Sequence, residues 1–323
     1  MREVLLGALM LALGSPAVAV AASGGSPTVP LKPVSPITLA ALDAFDGAKQ
    51  TVGLQNGVSL AYIDMGPRDA PVLVLIHGYT DSARDWASLA PELTRNFRLI
   101  IVDLRGHGAS SKPECCYTRF DFADDIRLLL DRLHTGPVEA IVGHSLGSLV
   151  AQTFAELWPA ATRRLVLVSS TGTSFGPESA CGSGGATPIV QSWLAGLAQL
   201  RDPIDPDSAF MREWWQESIA INPEFFSSRQ RHDAAAIPAH IWRDIADQAL
   251  VTGDLRPMLP RIQAPTLLIW GGRDTVMSAA GREALRTGIP RNVVRIFPEL
   301  GHDLIWQDPQ ALASAITGFL KKS

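Results

Sequence analysis

Only three cysteines occur in the 323 residues, and positive charge is in deficit: 28 Lys and Arg stand against 32 Asp and Glu, a net charge of −4 with a pI near 6.0. Without a basic surplus the chain lacks the face that a nucleic-acid partner requires. No run of like charges marks an interaction tail. Around the cysteines no histidine or second cysteine pair shows ligand spacing, so no metal is expected. An apolar run long enough for a comfortable membrane span is also missing. The N-terminal run from Val4 to Leu13 is short, follows Arg2, and leads to Pro16 and the small-residue patterns Ala17-Val18-Ala19 or Ala19-Val20-Ala21. That order predicts a secretory signal peptide over 1–22 and an exported mature chain without stable membrane insertion; an uncleaved anchor is the alternative.

Export gives the cysteines a meaning, because an oxidising compartment permits disulfides. Cys115 and Cys116 are neighbours, and a bridge between neighbours is strained. A bridge from one of them to Cys181 is therefore the favoured pairing, and three reduced thiols are the alternative.

Apolar content is high, at 46%, enough for one large domain with an insertion. Pro27, Pro30, Pro33 and Pro36 recur every third residue, the polyproline II period, so 23–48 reads as an extended arm. Asn56-Gly57 between Thr51–Gln55 and Val58–Met65 predicts a hairpin. Continuous apolar runs then follow at Val72–Ile76, Leu99–Val102, Val138–Val142, Leu165–Val168, Thr266–Trp270 and Val293–Phe297. Runs without polar alternation fit strands buried on both faces. Helical patterns separate them at Phe122–Leu133 and Leu146–Leu157, and another closes the chain at Pro309–Leu320. The predicted fold is α/β, a doubly wound and mostly parallel sheet with an antiparallel N-terminal hairpin. Residues 49–175 and 261–323 form its core. Residues 176–260 lack buried-strand runs and hold Trp193, Trp214, Trp215 and Trp242, which predicts a helical cap whose tryptophans mostly pack it against the core, with one or two of the four touching ligand.

The chemistry centres on Gly143-His144-Ser145-Leu146-Gly147. This G-x-S-x-G pattern ends one apolar run and opens a helical one, the setting in which a serine occupies a sharp strand-to-helix turn. The two glycines are required where strand and helix approach each other. A hydroxyl needs a base, and His302, after the last apolar run, is the best of seven histidines. His144 should point away from Ser145. The base in turn needs a carboxylate, and Asp274 follows the penultimate run; Asp303 is too close in sequence, and Asp103 is expected to shape its own loop. The backbone N–H groups of Tyr79 and Leu146 are the oxyanion donors. Tyr79, His144 and the four cap tryptophans are the pocket candidates.

His77-Gly78-Tyr79, Trp86, Asp103–Ser110, Gly143–Gly147, Gly271–Asp274 and Gly301-His302 together resemble the α/β-hydrolase family, from about Thr51 to the C-terminus. The resemblance implies a serine hydrolase with no cofactor and a small-molecule ester substrate. Relatives that open epoxides or remove halogens carry aspartate where Ser145 stands, so those reactions are disfavoured. Lactone, amide or carbon–carbon cleavage and perhydrolysis remain open on the same residues, as does a non-catalytic ligand binder. The oligomeric state is not legible.

Overall fold

A computed structural model describes residues 37–175 and 187–321. The expected signal segment, the proline repeat through Pro36 and Cys181 lie outside the described residues. Eight strands form one sheet in the order β1-β2-β4-β3-β5-β6-β7-β8. They are β1 (Gln50–Gly53), β2 (Ser59–Met65), β3 (Val72–Ile76), β4 (Arg98–Val102), β5 (Val138–His144), β6 (Thr162–Val168), β7 (Thr266–Gly271) and β8 (Asn292–Phe297). β2 runs antiparallel to β1 and β4; all later pairings are parallel. The doubly wound reading therefore holds, and its basis is burial. Leu73–Ile76, Leu99–Val102 and Leu165–Val168 are wholly enclosed, so side chains on both faces had to be apolar.

Helices cover the sheet: α1 (Leu39–Gly47), α2 (Ala90–Leu93), α3 (Arg119–Arg132) and α4 (Leu146–Leu157) precede the cap. α3 begins with a capping box in which Thr118 and Asp121 satisfy each other's backbone N–H. Between β6 and β7 the described residues form α5 (Pro188–Leu197), α6 (Ala209–Trp214), α7 (Gln216–Ile221), α8 (Glu224–Ala235) and α9 (Ala239–Ile245), with no strand. After β7 come α10 (Ala279–Gly288), α11 (Leu304–Gln307) and α12 (Pro309–Leu320).

Three expectations need correction. The arm does not run extended to residue 48, because α1 occupies its end. Thr38 caps that helix through its Oγ1, and Leu42 and Phe45, three apart, bury one face against the core. The last apolar run is not buried on both faces. β8 is an edge strand, and Val293, Val294 and Ile296 stay 53%, 42% and 44% exposed. The favoured cysteine pairing is not the one found among the described residues: the sulfurs of Cys115 and Cys116 lie against each other, and Cys181 is outside those residues. Cys116 takes φ 76°, a left-handed turn that keeps its side chain beside its neighbour's.

β3 and β5 lie side by side, yet the chain leaves β3 for β4 on one flank and returns to β5 on the other. Their carboxyl ends thus border the crevice where strand order reverses, the usual place for a ligand in an open α/β sheet. Among the described residues no helix is long and apolar enough to cross a membrane.

Candidate active site

Ser145 stands at the turn between β5 and α4 with φ 50° and ψ −118°, a strained backbone for a residue bearing a Cβ. The strain depends on its two glycines. A methyl group on Gly143 would strike the backbone of Gly147, and one on Gly147 would strike the carbonyls of Ile76 and His77. The turn therefore closes only with glycine at both positions, and it thrusts the Ser145 hydroxyl out at the sheet edge.

His302, on the loop after β8, brings its Nε2 to 3.0 Å from Ser145 Oγ. Its Nδ1 lies 3.2 Å from Asp274 Oδ1, close enough to pair though off the line of a straight hydrogen bond. Asp274 Oδ1 also accepts the N–H groups of Val276 at 2.8 Å and Met277 at 3.1 Å. Burial disfavours charge on Asp274, but His302 and these two N–H groups hold its carboxyl below the ordinary value. Burial likewise opposes charge on His302; the fields of Asp274, Asp303 and Glu217 outweigh it and raise the imidazole from 6.5 to about 9. The structure thus brings together Ser145, His302 and Asp274, residues far apart in the chain.

The loop after β3 closes over Ser145. A Cβ on Gly78 would come within 3.5 Å of Ser145 Cβ and 3.2 Å of His144 Nδ1. The backbone N–H of Tyr79, next in the loop, and that of Leu146, first in α4, have no partner among the described residues. His77 orients the loop from below: its Nδ1–H donates to Gly78 O at 2.7 Å, and its Nε2 accepts the Leu104 N–H at 3.0 Å. Burial lowers its pKa, which keeps it neutral in that role. Asp103 is occupied as expected, accepting Ala83 N–H and Ala109 N–H and pairing with Lys49.

The pocket candidates divide. Trp193 and Trp214 are half-buried and lie 4.8 Å apart between ring centres; Tyr79 and Trp242 pack against Trp214 at 5.6 and 5.3 Å. Trp242 is fully enclosed and donates its N–H to Ala234 O, so it supports the wall from behind. Trp215 turns away onto Trp306. His144 is 1% exposed, with Nε2 on the His302 carbonyl at 3.2 Å, and lines no open surface.

Residues that the sequence reading passed over complete the site. Phe210 joins the aromatic wall. Trp214 Nε1–H donates to Thr80 Oγ1 at 2.9 Å, holding a β-branched residue at φ 63°. The Tyr79 hydroxyl donates to the Trp242 carbonyl. Glu217 of α7 accepts the Asp303 N–H at 3.2 Å and the Gln307 side chain at 3.0 Å. Asp81 and Asp85, in the segment after β3, are buried; Asp85 accepts the Gly78 N–H at 3.3 Å. The only local signal was the density of polar residues in Thr80-Asp81-Ser82-Ala83-Arg84-Asp85, too many for a plain strand-ending turn. Asp81, Asp85 and His144, or His144, His302 and Asp303, offer donor atoms within 4.8 Å of one another, close enough to chelate a cation.

Residues 71–309 match the family model described as alpha/beta hydrolase fold. The chain belongs to the alpha/beta hydrolase fold family. It is 28% identical over 279 residues to 2-hydroxy-6-oxononadienedioate/2-hydroxy-6-oxononatrienedioate hydrolase 2 of Pseudomonas putida, covering 82% of this chain and 92% of that one. To 2-(acetamidomethylene)succinate hydrolase of Mesorhizobium japonicum it is 30% identical, over 83% and 95% of the two chains. The crystal structure of a hydrolase from Pseudomonas aeruginosa PA01 superposes with a TM-score of 0.70 at 29% identity, over 85% of this chain and 99% of that one.

Proposed function

We propose that this hydrolase is an exported serine esterase acting on small to medium, apolar or aromatic carboxylic esters through an acyl-enzyme. The observation that carries the reading is the 3.0 Å approach of His302 Nε2 to a strained, outward Ser145 hydroxyl. Ser145 Oγ attacks the ester carbonyl while its proton passes to His302 Nε2. Asp274 fixes the imidazole orientation and stabilises its charged form. The tetrahedral oxyanion takes hydrogen bonds from the Tyr79 and Leu146 N–H groups. His302 then protonates the departing alcohol. Water, activated by the same nitrogen, attacks the acyl-enzyme and releases the acid and Ser145. The half-buried rings of Trp193 and Trp214 favour an apolar or aromatic substrate group.

Loss of short-acyl ester turnover and of fluorophosphonate labelling in Ser145→Ala is the test; a variant that keeps esterase activity removes Ser145 as nucleophile. The relatives named as hydrolases of an oxononadienedioate and of a succinate support a second reading, cleavage of a bond other than an ester by the same residues. A panel of esters, lactones, amides and diketones separates the two. Export rests on the pattern of residues 1–22, and N-terminal sequencing of the protein from extracytoplasmic fractions tests it: an intact Met1 in a cytoplasmic fraction refutes it.

A further inference from the structure

His302 sits on a loop that main-chain bonding does not fix. Among the described residues, neither Gly301 nor His302 shares a hydrogen bond with another main chain. Side chains hold the segment instead. Gln307 Oε1 accepts the Gly301 N–H at 2.6 Å, and Glu217 accepts the Asp303 N–H at 3.2 Å. The His302 carbonyl takes two donors, Ser169 Oγ–H at 2.6 Å and His144 Nε2–H at 3.2 Å. A carbonyl oxygen has two lone pairs, so both are engaged and the main chain of His302 is pinned from two directions.

These two donors stand on inner strands of the sheet rather than on the cap. His144 ends β5, immediately before Ser145, and Ser169 directly follows β6. The residue before Ser169 holds the other reacting group: the Val168 carbonyl accepts the Ser145 N–H at 3.0 Å. Two consecutive residues at the end of β6 thus grip the main chains of Ser145 and His302. Ser169 is fully buried and strained, with φ 48°, a left-handed conformation that glycine adopts freely. The turn alone would be better served by glycine, and what glycine lacks is the hydroxyl. The surroundings enforce the strain. Ser169 N–H donates to Ile269 O at 2.9 Å, Gln152 donates to Ser170 Oγ at 2.8 Å, and Trp270 Nε1–H donates to Ser170 O at 2.8 Å.

We propose that Ser169 is a positioning residue whose hydroxyl, with His144 as the second donor, sets the reach of His302 toward Ser145. The kinetic consequence rests on the serine-hydrolase reading; the geometric one needs no substrate. His302 Nε2 lies at the far end of the side chain from the pinned carbonyl, so a small tilt of the main chain becomes a larger displacement at Ser145 Oγ. A reacting constellation tolerates about 0.5 Å of play. Misplacement by about 1 Å slows a reaction on the order of a hundredfold.

The experiment compares Ser169→Ala, which keeps the strain and removes the hydroxyl, with Ser169→Gly, which removes both. Crystal structures of the two variants should show His302 Nε2 displaced by about 0.5 Å or more from its native place against Ser145 Oγ. Ester kcat and the rate of fluorophosphonate labelling should fall at least about tenfold in both, with KM within about twofold, because the loss is one of alignment and not of binding. Ser169→Gly should nevertheless melt at or above Ser169→Ala. A Ser145–His302 distance unchanged in both variants overturns the proposal. So does native labelling in Ser169→Gly, which would mean that backbone strain alone gave Ser169→Ala its defect. His144→Gln, whose amide N–H can take the place of Nε2–H, should label faster than His144→Leu; equal rates overturn the role of the second donor. If the native protein neither turns over esters nor labels, the serine-hydrolase reading falls, and the crystallographic distances alone decide the positioning role.

Discussion

Asp274→Asn tests the site most directly, because the structure gives both the direction and the scale of its effect. Asn can keep the bonds from the Val276 and Met277 N–H groups, so the loop should hold its shape. What is lost is the charge beside His302. In the native site that charge, with those of Asp303 and Glu217, raises the imidazole from 6.5 to about 9 although burial pulls it down. A net shift of that size corresponds to about 3 kcal/mol in favour of imidazolium, at 1.36 kcal/mol per unit. Because burial is already subtracted, the gross stabilisation by the acids is larger. Imidazolium forms as Ser145 attacks, so losing about 3 kcal/mol there slows the reaction roughly a hundredfold. The carbonyl oxygen of Asn, held by the Val276 and Met277 N–H groups, still faces His302 Nδ1, so the tautomer is kept and the expected loss in kcat stays at about a hundredfold.

The pH profile carries a second signature. His302 accepts a proton only when neutral, so activity rises as pH climbs through its pKa. In the native enzyme that limb lies above 6.5, toward 9; in Asp274→Asn, with the largest raising cause gone, it moves to lower pH while the plateau collapses. Initial rates on a nitrophenyl ester between pH 5 and 10 measure both. A variant that keeps more than a tenth of native kcat, or whose acid limb stays in place, refutes the role assigned to Asp274.

Gly147→Ala should cost several kcal/mol of stability, since its methyl would meet the Ile76 and His77 carbonyls; a native melting temperature would contradict the turn as described. Trp214→Phe keeps the ring but removes the N–H that holds Thr80. Stability should fall by only about 0.5–1.5 kcal/mol, whereas fluorophosphonate labelling of Ser145 should slow severalfold, and unchanged labelling kinetics would detach the cap from the oxyanion loop. Val294→Lys, on the exposed edge strand, should stay within about 0.5 kcal/mol of native by denaturant titration and lower aggregation measured by light scattering; a large loss would mean that β8 is covered.

Much of the frame was legible because burial writes itself into composition. Strands enclosed on both faces had to be runs of Val, Ile and Leu, and the turn at Ser145 admits only glycine at two positions. Ser145, Asp274 and His302 could be singled out because each closes or follows such a run. β8 resembled the inner strands in sequence and yet stands at the edge, since an apolar run states what could be buried and not whether a neighbour covers it. α1 is short, and its Leu42 and Phe45 follow the proline-rich arm with no periodic pattern long enough to mark a helix. The cap was legible only as helical. Glu217 and Trp214 gain their meaning from loops more than eighty residues distant, and neither helical period nor composition carries such a pairing.

The cap holds both working loops at once. Through Trp214 and the Trp242 carbonyl it grips Thr80 and Tyr79 of the loop after β3, and through Glu217 it grips Asp303 and Gln307 beside His302. On the proposed serine-hydrolase reading, specificity and reactivity are therefore not separable cassettes. A cap transplanted from a relative to change substrate range would release four anchor points on the catalytic loops. A successful graft has to bring equivalents of Trp214 and Glu217 with it, and laboratory evolution of the cap should return again and again to those two positions.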